Sequence, residues 1–243
     1  MPVSIPETPR AEERPTFYAA LTGVLSFPFA GSGPVLVICG AIFFSILQWA
    51  SYLAAYAPLY GFLALIILNV MGGGYTFSYL QEIILSSSRG EKSLPAWPEI
   101  ASMWESFVAP FFRGLCLALI FLAPGVMVMA QSSELGGWLV LVLSGFFLPM
   151  ALLAVVMADS FSGLNPLVVL SAIAKLIGPY MAACVALGMV CVLATLLQVV
   201  ARRIPIPLLP TLLANLFAMY GLTVSARIIG LLYYTNEEKL GWF

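Results

Sequence analysis

Apolar runs of about 20 residues recur six times along the chain, parted by short breaks rich in Pro, Gly and polar residues. At a rise of about 1.5 Å per residue, such a run covers the ~30 Å hydrocarbon core of a bilayer. The pattern predicts membrane-spanning helices over about 34–57, 59–82, 110–131, 137–158, 178–200 and 211–234. Pro58 marks a very short turn between the first two, and Pro124 and Pro149 predict kinks in the third and fourth. The link between the last two, "ARRIPIPLLP", is Pro-rich and semi-rigid.

Three shorter segments read as helices lying at the membrane surface. Residues 16–33 are apolar but broken by Pro28 and Gly. Residues 165–178 place Leu167, Leu170, Ile173, Ala174 and Ile177 at helical spacing in a run too short to span. The longest polar interruption, 86–114, holds an interfacial loop over 86–109 and contains "WPEIASMWESFVAPFF". There Trp97, Ile100, Trp104, Phe107 and Phe111 recur every three or four positions, with Glu99, Ser102, Glu105 and Ser106 between them. That periodicity predicts a cytoplasmic interfacial helix anchored by aromatic rings, its acidic side open to a protein partner.

Composition strengthens the membrane reading. The 243 residues are 62% hydrophobic and 9% charged, with a mean hydropathy of +1.03. Soluble domains carry about 25% charged residues. The fold class expected is therefore all-α: a polytopic integral membrane protein of about six transmembrane helices with two or three interfacial amphipathic helices. Its organisation is expected to be a disordered cytoplasmic tail over 1–15, one transmembrane domain over 16–236 and a cytoplasmic tail over 237–243. The N-terminal stretch has Pro and acidic residues where a signal peptide has a basic region and an apolar core. A net charge of −1 offers no attraction for nucleic acid. With no His, the commonest general base and zinc ligand is missing. Cys39, Cys116, Cys184 and Cys191 sit in apolar runs with no CxxC pair. No catalytic, cofactor or metal residues are expected, and an intramembrane enzyme is the weakest reading.

Positive charge marks cytoplasmic loops. Arg10, Arg14, Arg89, Lys92, Arg113, Lys175 and Lys239 all fall on one side if both termini are cytoplasmic. Arg202 and Arg203 alone fall opposite, where lipid phosphate or a partner is a candidate ligand. The localisation expected is a prokaryotic plasma (inner) membrane.

Polar groups within apolar helices are costly and often functional. Arg227 lies seven residues before the end of the sixth run, about 10 Å deep. It is expected to snorkel to the headgroups or to pair with Glu82 or Asp159. Asn69, Gln48, Gln198 and Asn215 read as interhelical glue. Gly72, Gly73 and Gly74 form either a broken, ligand-binding span or a close helix contact; the contact is the expectation favoured.

Three stretches, "GGGYTFSYLQEIILSSSRGEKSLPAWPEI", "LNPLVVLSAIAKLIGPY" and "RIIGLLYYTNEEKLGWF", carry a resemblance. Through Gly90, Leu94, Pro95, Trp97, Asn165, Pro166, Gly230, Leu240 and Gly241, the chain resembles an uncharacterised family of prokaryotic polytopic membrane proteins, distantly Yip1-like. The resemblance implies about six spans, a cytoplasmic loop after the second and no established active-site residues. The function expected is a non-enzymatic membrane scaffold or accessory subunit, binding lipids and a protein partner or a second copy of itself. The alternative is a small transporter or lipid-handling protein using the Gly72–Gly74 span and Arg227.

Overall fold

The computed structural model describes residues 15–54, 56, 58–99, 102–131 and 133–242. The expected N-terminal tail up to Arg14 and the anchor Ile100 lie outside the described residues. Nine α-helices are described: α1 (Phe17–Leu21), α2 (Gly33–Ala54), α3 (Pro58–Ser88), α4 (Ala109–Gln131), α5 (Glu134–Ala158), α6 (Pro166–Lys175), α7 (Ile177–Ala201), α8 (Leu209–Tyr234) and α9 (Glu237–Leu240). Short 3₁₀ turns occupy Val24–Phe29 and Phe161–Leu164, and a π-turn, Trp104–Val108, leads directly into α4. No strand occurs among the described residues. The protein is all-α, with six helices long and apolar enough to cross a membrane: α2, α3, α4 with its π-turn, α5, α7 and α8.

Local chemistry explains where several helices begin. Ser133 accepts the Gly136 N–H at 2.9 Å and caps α5, with Glu134 in the first turn. Asn165 accepts the Leu167 N–H at 3.0 Å, and Pro166 occupies the first position of α6. Both α4 and α5 continue through Pro124 and Pro149.

α8 is the hub, packing against α2, α3, α5, α7 and the 3₁₀ turn Val24–Phe29. Its residues Val224, Ala226, Ile228 and Leu232 are almost fully buried, as are Ile83 and Ile84 of α3 and Met150, Leu153 and Val155 of α5. By contrast Val185, Met189, Val192, Leu196 and Val199 of α7 are exposed, as are Phe62, Ile66 and Ile67 of α3. Apolar side chains lining the outside of long helices are what a hydrocarbon solvent requires.

α3 runs on to Ser88 rather than ending near residue 82. Ser86 and Ser88 donate their hydroxyls to Ile83 O and Leu85 O, so the polar run stays helical. Ser87 fits against Gly230 of α8, where a side chain on Gly230 would meet Ile84 O at 2.6 Å. Tertiary fit thus overrides the weak helix preference of serine.

The surface segments need correction. Residues 17–29 pack against the bundle, with Phe17, Val24 and Phe27 buried. α6 exists, but its buried stripe is Val169, Ala172 and Ile173; Leu167 and Leu170 are exposed. The expected single helix through Trp97–Phe111 is not formed. Among the described residues, 94–99 and Ser102 carry no helix, and Met103 is helical. The C-terminal segment is docked: Leu240 is buried, Lys175 donates to Leu240 O at 3.1 Å, and the Tyr233 hydroxyl donates to Trp242 O at 3.3 Å.

Candidate functional site

The segment after α3 has no regular structure from Glu91 to Glu99, yet it is fastened into the bundle. Two tyrosines one helical turn apart on α3 do part of this. The Tyr79 hydroxyl donates to Pro95 O at 3.4 Å and the Tyr75 hydroxyl to Pro98 O at 3.1 Å. From α8, the Arg227 guanidinium donates through Nη1 to the Glu91 carbonyl. The carbonyls satisfied in this way belong to non-helical backbone, which has no helix ladder of its own to pair with.

Trp97 supplies the apolar half of the attachment. Its ring stacks on Tyr79 at 5.1 Å with 9° between planes, and on Tyr75 at 5.4 Å with 23°. The far edge meets α2, with Phe43 at 6.4 Å edge-on and Gly40 beneath it. Tyr75 in turn stacks on Phe107 of the π-turn at 5.7 Å. Trp97, Tyr79, Tyr75 and Phe107 therefore form one aromatic pile linking the loop to α3 and to the start of α4. Aromatic pairs of this kind contribute about 0.5–1.5 kcal/mol each beyond area burial.

The aromatic anchors expected on one face are thus divided. Trp97 and Phe107 point into the bundle, and Phe111 packs over Gly73. Only Trp104, 65% exposed, faces outward, with Met103, Glu99 and Glu105 exposed around it. The physical reason is competition. Two tyrosines at i and i+4 on α3 offer Trp97 a stacking site, and taking it forbids the helical phase that would align Trp97 with Trp104.

The polar groups expected within the spans are placed differently as well. Arg227 pairs with neither Glu82 nor Asp159. It is 9% exposed, with its guanidinium 4.5 Å from the centroid of the Phe27 ring. Asp159 instead pairs with Arg113, joining the end of α5 to the start of α4. With Asp159 82% exposed, that pair contributes at most about 1 kcal/mol. Glu82 is half-buried on α3. Asn69 donates to Leu65 O of its own helix at 2.7 Å. Asn215 does act as interhelical glue, donating to Ser45 Oγ at 3.0 Å and Gln48 Oε1 at 3.4 Å across α2 and α8.

The Gly72–Gly74 triplet is an uninterrupted part of α3 and not a broken span. Gly74 lies against the backbone of Phe107, so the triplet serves close helix approach. Thr76 adds a local bond from its hydroxyl to Gly72 O at 2.7 Å.

The chain matches no family model, no curated protein and no solved structure. The site is therefore read from its own geometry: a fixed loop with an outward rim of Glu99, Met103, Trp104 and Glu105. Among the described residues no cluster of His, Cys, Asp and Glu is arranged to hold a metal ion.

Arg227→Ala removes a charged hydrogen bond and the cation–π contact together. We expect a loss of about 2–3 kcal/mol, read as a lower unfolding midpoint in detergent. Arg227→Lys should recover part of it, since one ammonium can still reach the Glu91 carbonyl.

Proposed function

We propose that the chain is a non-enzymatic membrane scaffold or accessory subunit of a prokaryotic plasma membrane, with both termini in the cytoplasm. In this reading the segment from Arg89 to Glu105 is its cytoplasmic docking platform. One observation carries it: a loop without helix or strand is held by side chains of α3 and α8 and by a continuous aromatic pile. Preorganisation of this kind reduces the entropy lost when a partner binds. The rim it presents combines an apolar anchor, Met103 and Trp104, with the carboxylates Glu99 and Glu105. The partner that suits it is a protein segment with an apolar side chain flanked by Lys or Arg. The distribution of Arg89, Lys92, Arg113, Lys175 and Lys239 supports the cytoplasmic placement.

The alternative, a transporter, drew on the Gly72–Gly74 triplet and Arg227. Both are engaged in packing and in holding the loop.

A photo-crosslinker placed at Met103 in the native cell tests the reading, with Val192 of exposed α7 as the control position. A protein adduct at Met103, absent at Val192 and reduced about tenfold or more by Trp104→Ala with Glu105→Gln, is the expected result. An adduct pattern unchanged by those substitutions, or shared with Val192, contradicts it.

A further inference from the structure

Arg202 and Arg203 close α7 and are both exposed. Among the described residues neither takes part in an ion pair. They also oppose the charge bias of the other loops, so orientation gives them no use. The same link exposes apolar side chains: Ile206 is 53% and Leu208 58% accessible. Adjacent cations beside exposed aliphatic groups are the composition of a segment at the boundary of headgroups and acyl chains.

The link borders a groove. Leu208 and Leu212 form one wall and Ile42, Ile46 and Trp49 of α2 the other, enclosing about 340 Å³. Its polar floor is already engaged: Ser45 is buried, accepts from Asn215 and donates to Ala41 O at 2.6 Å. What remains open to an occupant is hydrocarbon in character. Leu208 has φ of +72°, in the left-handed region that a bulky residue adopts only when its surroundings hold it there. In that conformation it borders the groove, five residues after Arg203.

We infer that this corner is a binding site for one anionic phospholipid. Arg202 and Arg203 take the phosphate, and an acyl chain lies between Leu208, Ile46 and Trp49. Arg suits the first role because its planar fork matches phosphate oxygens in pairs. The groove suits the second because its walls are apolar side chains of α2 and α8, two of the six helices long and apolar enough to cross a membrane. The site is independent of the Arg89–Glu105 platform.

Native mass spectrometry of the full chain in detergent provides the test. The probes are phosphatidylglycerol, phosphatidylcholine with the same acyl chains, and glycerol phosphate. Phosphatidylglycerol should bind about tenfold more tightly than phosphatidylcholine. Arg202→Gln with Arg203→Gln should erase that preference, and Arg202→Lys with Arg203→Lys should keep most of it. Ile46→Trp, filling the groove from an exposed position, should weaken both lipids while leaving the preference. A preference that survives the double Gln variant overturns the proposal. So does displacement of the lipid by glycerol phosphate at equal concentration, which would show an anion site without a chain site.

Discussion

Replacing Gly74 by valine is expected to prevent formation of the folded protein. A Cβ at that position would fall inside contact distance of the Phe107 carbonyl, carbon and Cα. Those atoms are backbone within a helical turn, so no rotamer change relieves the clash. The two helices must separate, and separation breaks the Tyr75–Phe107 stack at 5.7 Å. Overpacking costs about 1–3 kcal/mol where side chains can yield and more where they cannot, so a loss above about 3 kcal/mol is expected. The check is the yield of monodisperse protein in detergent beside Gly73→Ala. A Cβ on Gly73 meets only the edge of the Phe111 ring, at 3.1 Å, which can shift. Alanine also gains about 1 kcal/mol of helix propensity over glycine, so Gly73→Ala should remain close to the parent.

Trp97→Ala carries the second large effect. The substitution empties the space between Tyr75, Tyr79, Phe43 and Gly40 and releases the central ring of the pile. Trp→Ala in a packed site costs about 3–5 kcal/mol. Trp97 is half-buried, which places the expectation at the lower end, about 3 kcal/mol. For a chain of this size that corresponds to a midpoint about 6–12 °C lower. Trp97→Phe, retaining a flat ring, should lose less than half as much. The effect should also be local: the Tyr75 and Tyr79 bonds to Pro98 and Pro95 lose their cover, so the loop gains freedom before the bundle unfolds.

The spans were legible because lipid imposes one demand on every turn of a long helix. Apolar runs predicted near 137–158, 178–200 and 211–234 became α5, α7 and α8 within a few residues. Prediction failed where fit between elements outweighs local pattern. Nothing in "SSS" taken alone announces a helix, yet Gly230 provides the space that keeps Ser87 helical. The periodicity from Trp97 to Phe111 was real in sequence. It lost to a distant pair of tyrosines whose i, i+4 spacing on α3 was the available signal. Arg227 stands out in the sequence as a charge within an apolar run, but its partner is a backbone carbonyl, which carries no residue-type signature.

The function proposed depends on the loop from Glu91 to Glu99 being fixed to α2, α3 and α8 and not floating at the surface. Limited trypsin digestion in lipid nanodiscs, with fragments identified by mass, measures this directly at Arg89 and Lys92. Cleavage requires the surrounding segment to open and enter the protease. The parent protein should resist at both sites under conditions that cut Trp97→Ala within minutes. Equal, rapid cleavage at Arg89 and Lys92 in the parent and in Trp97→Ala would contradict a fixed loop.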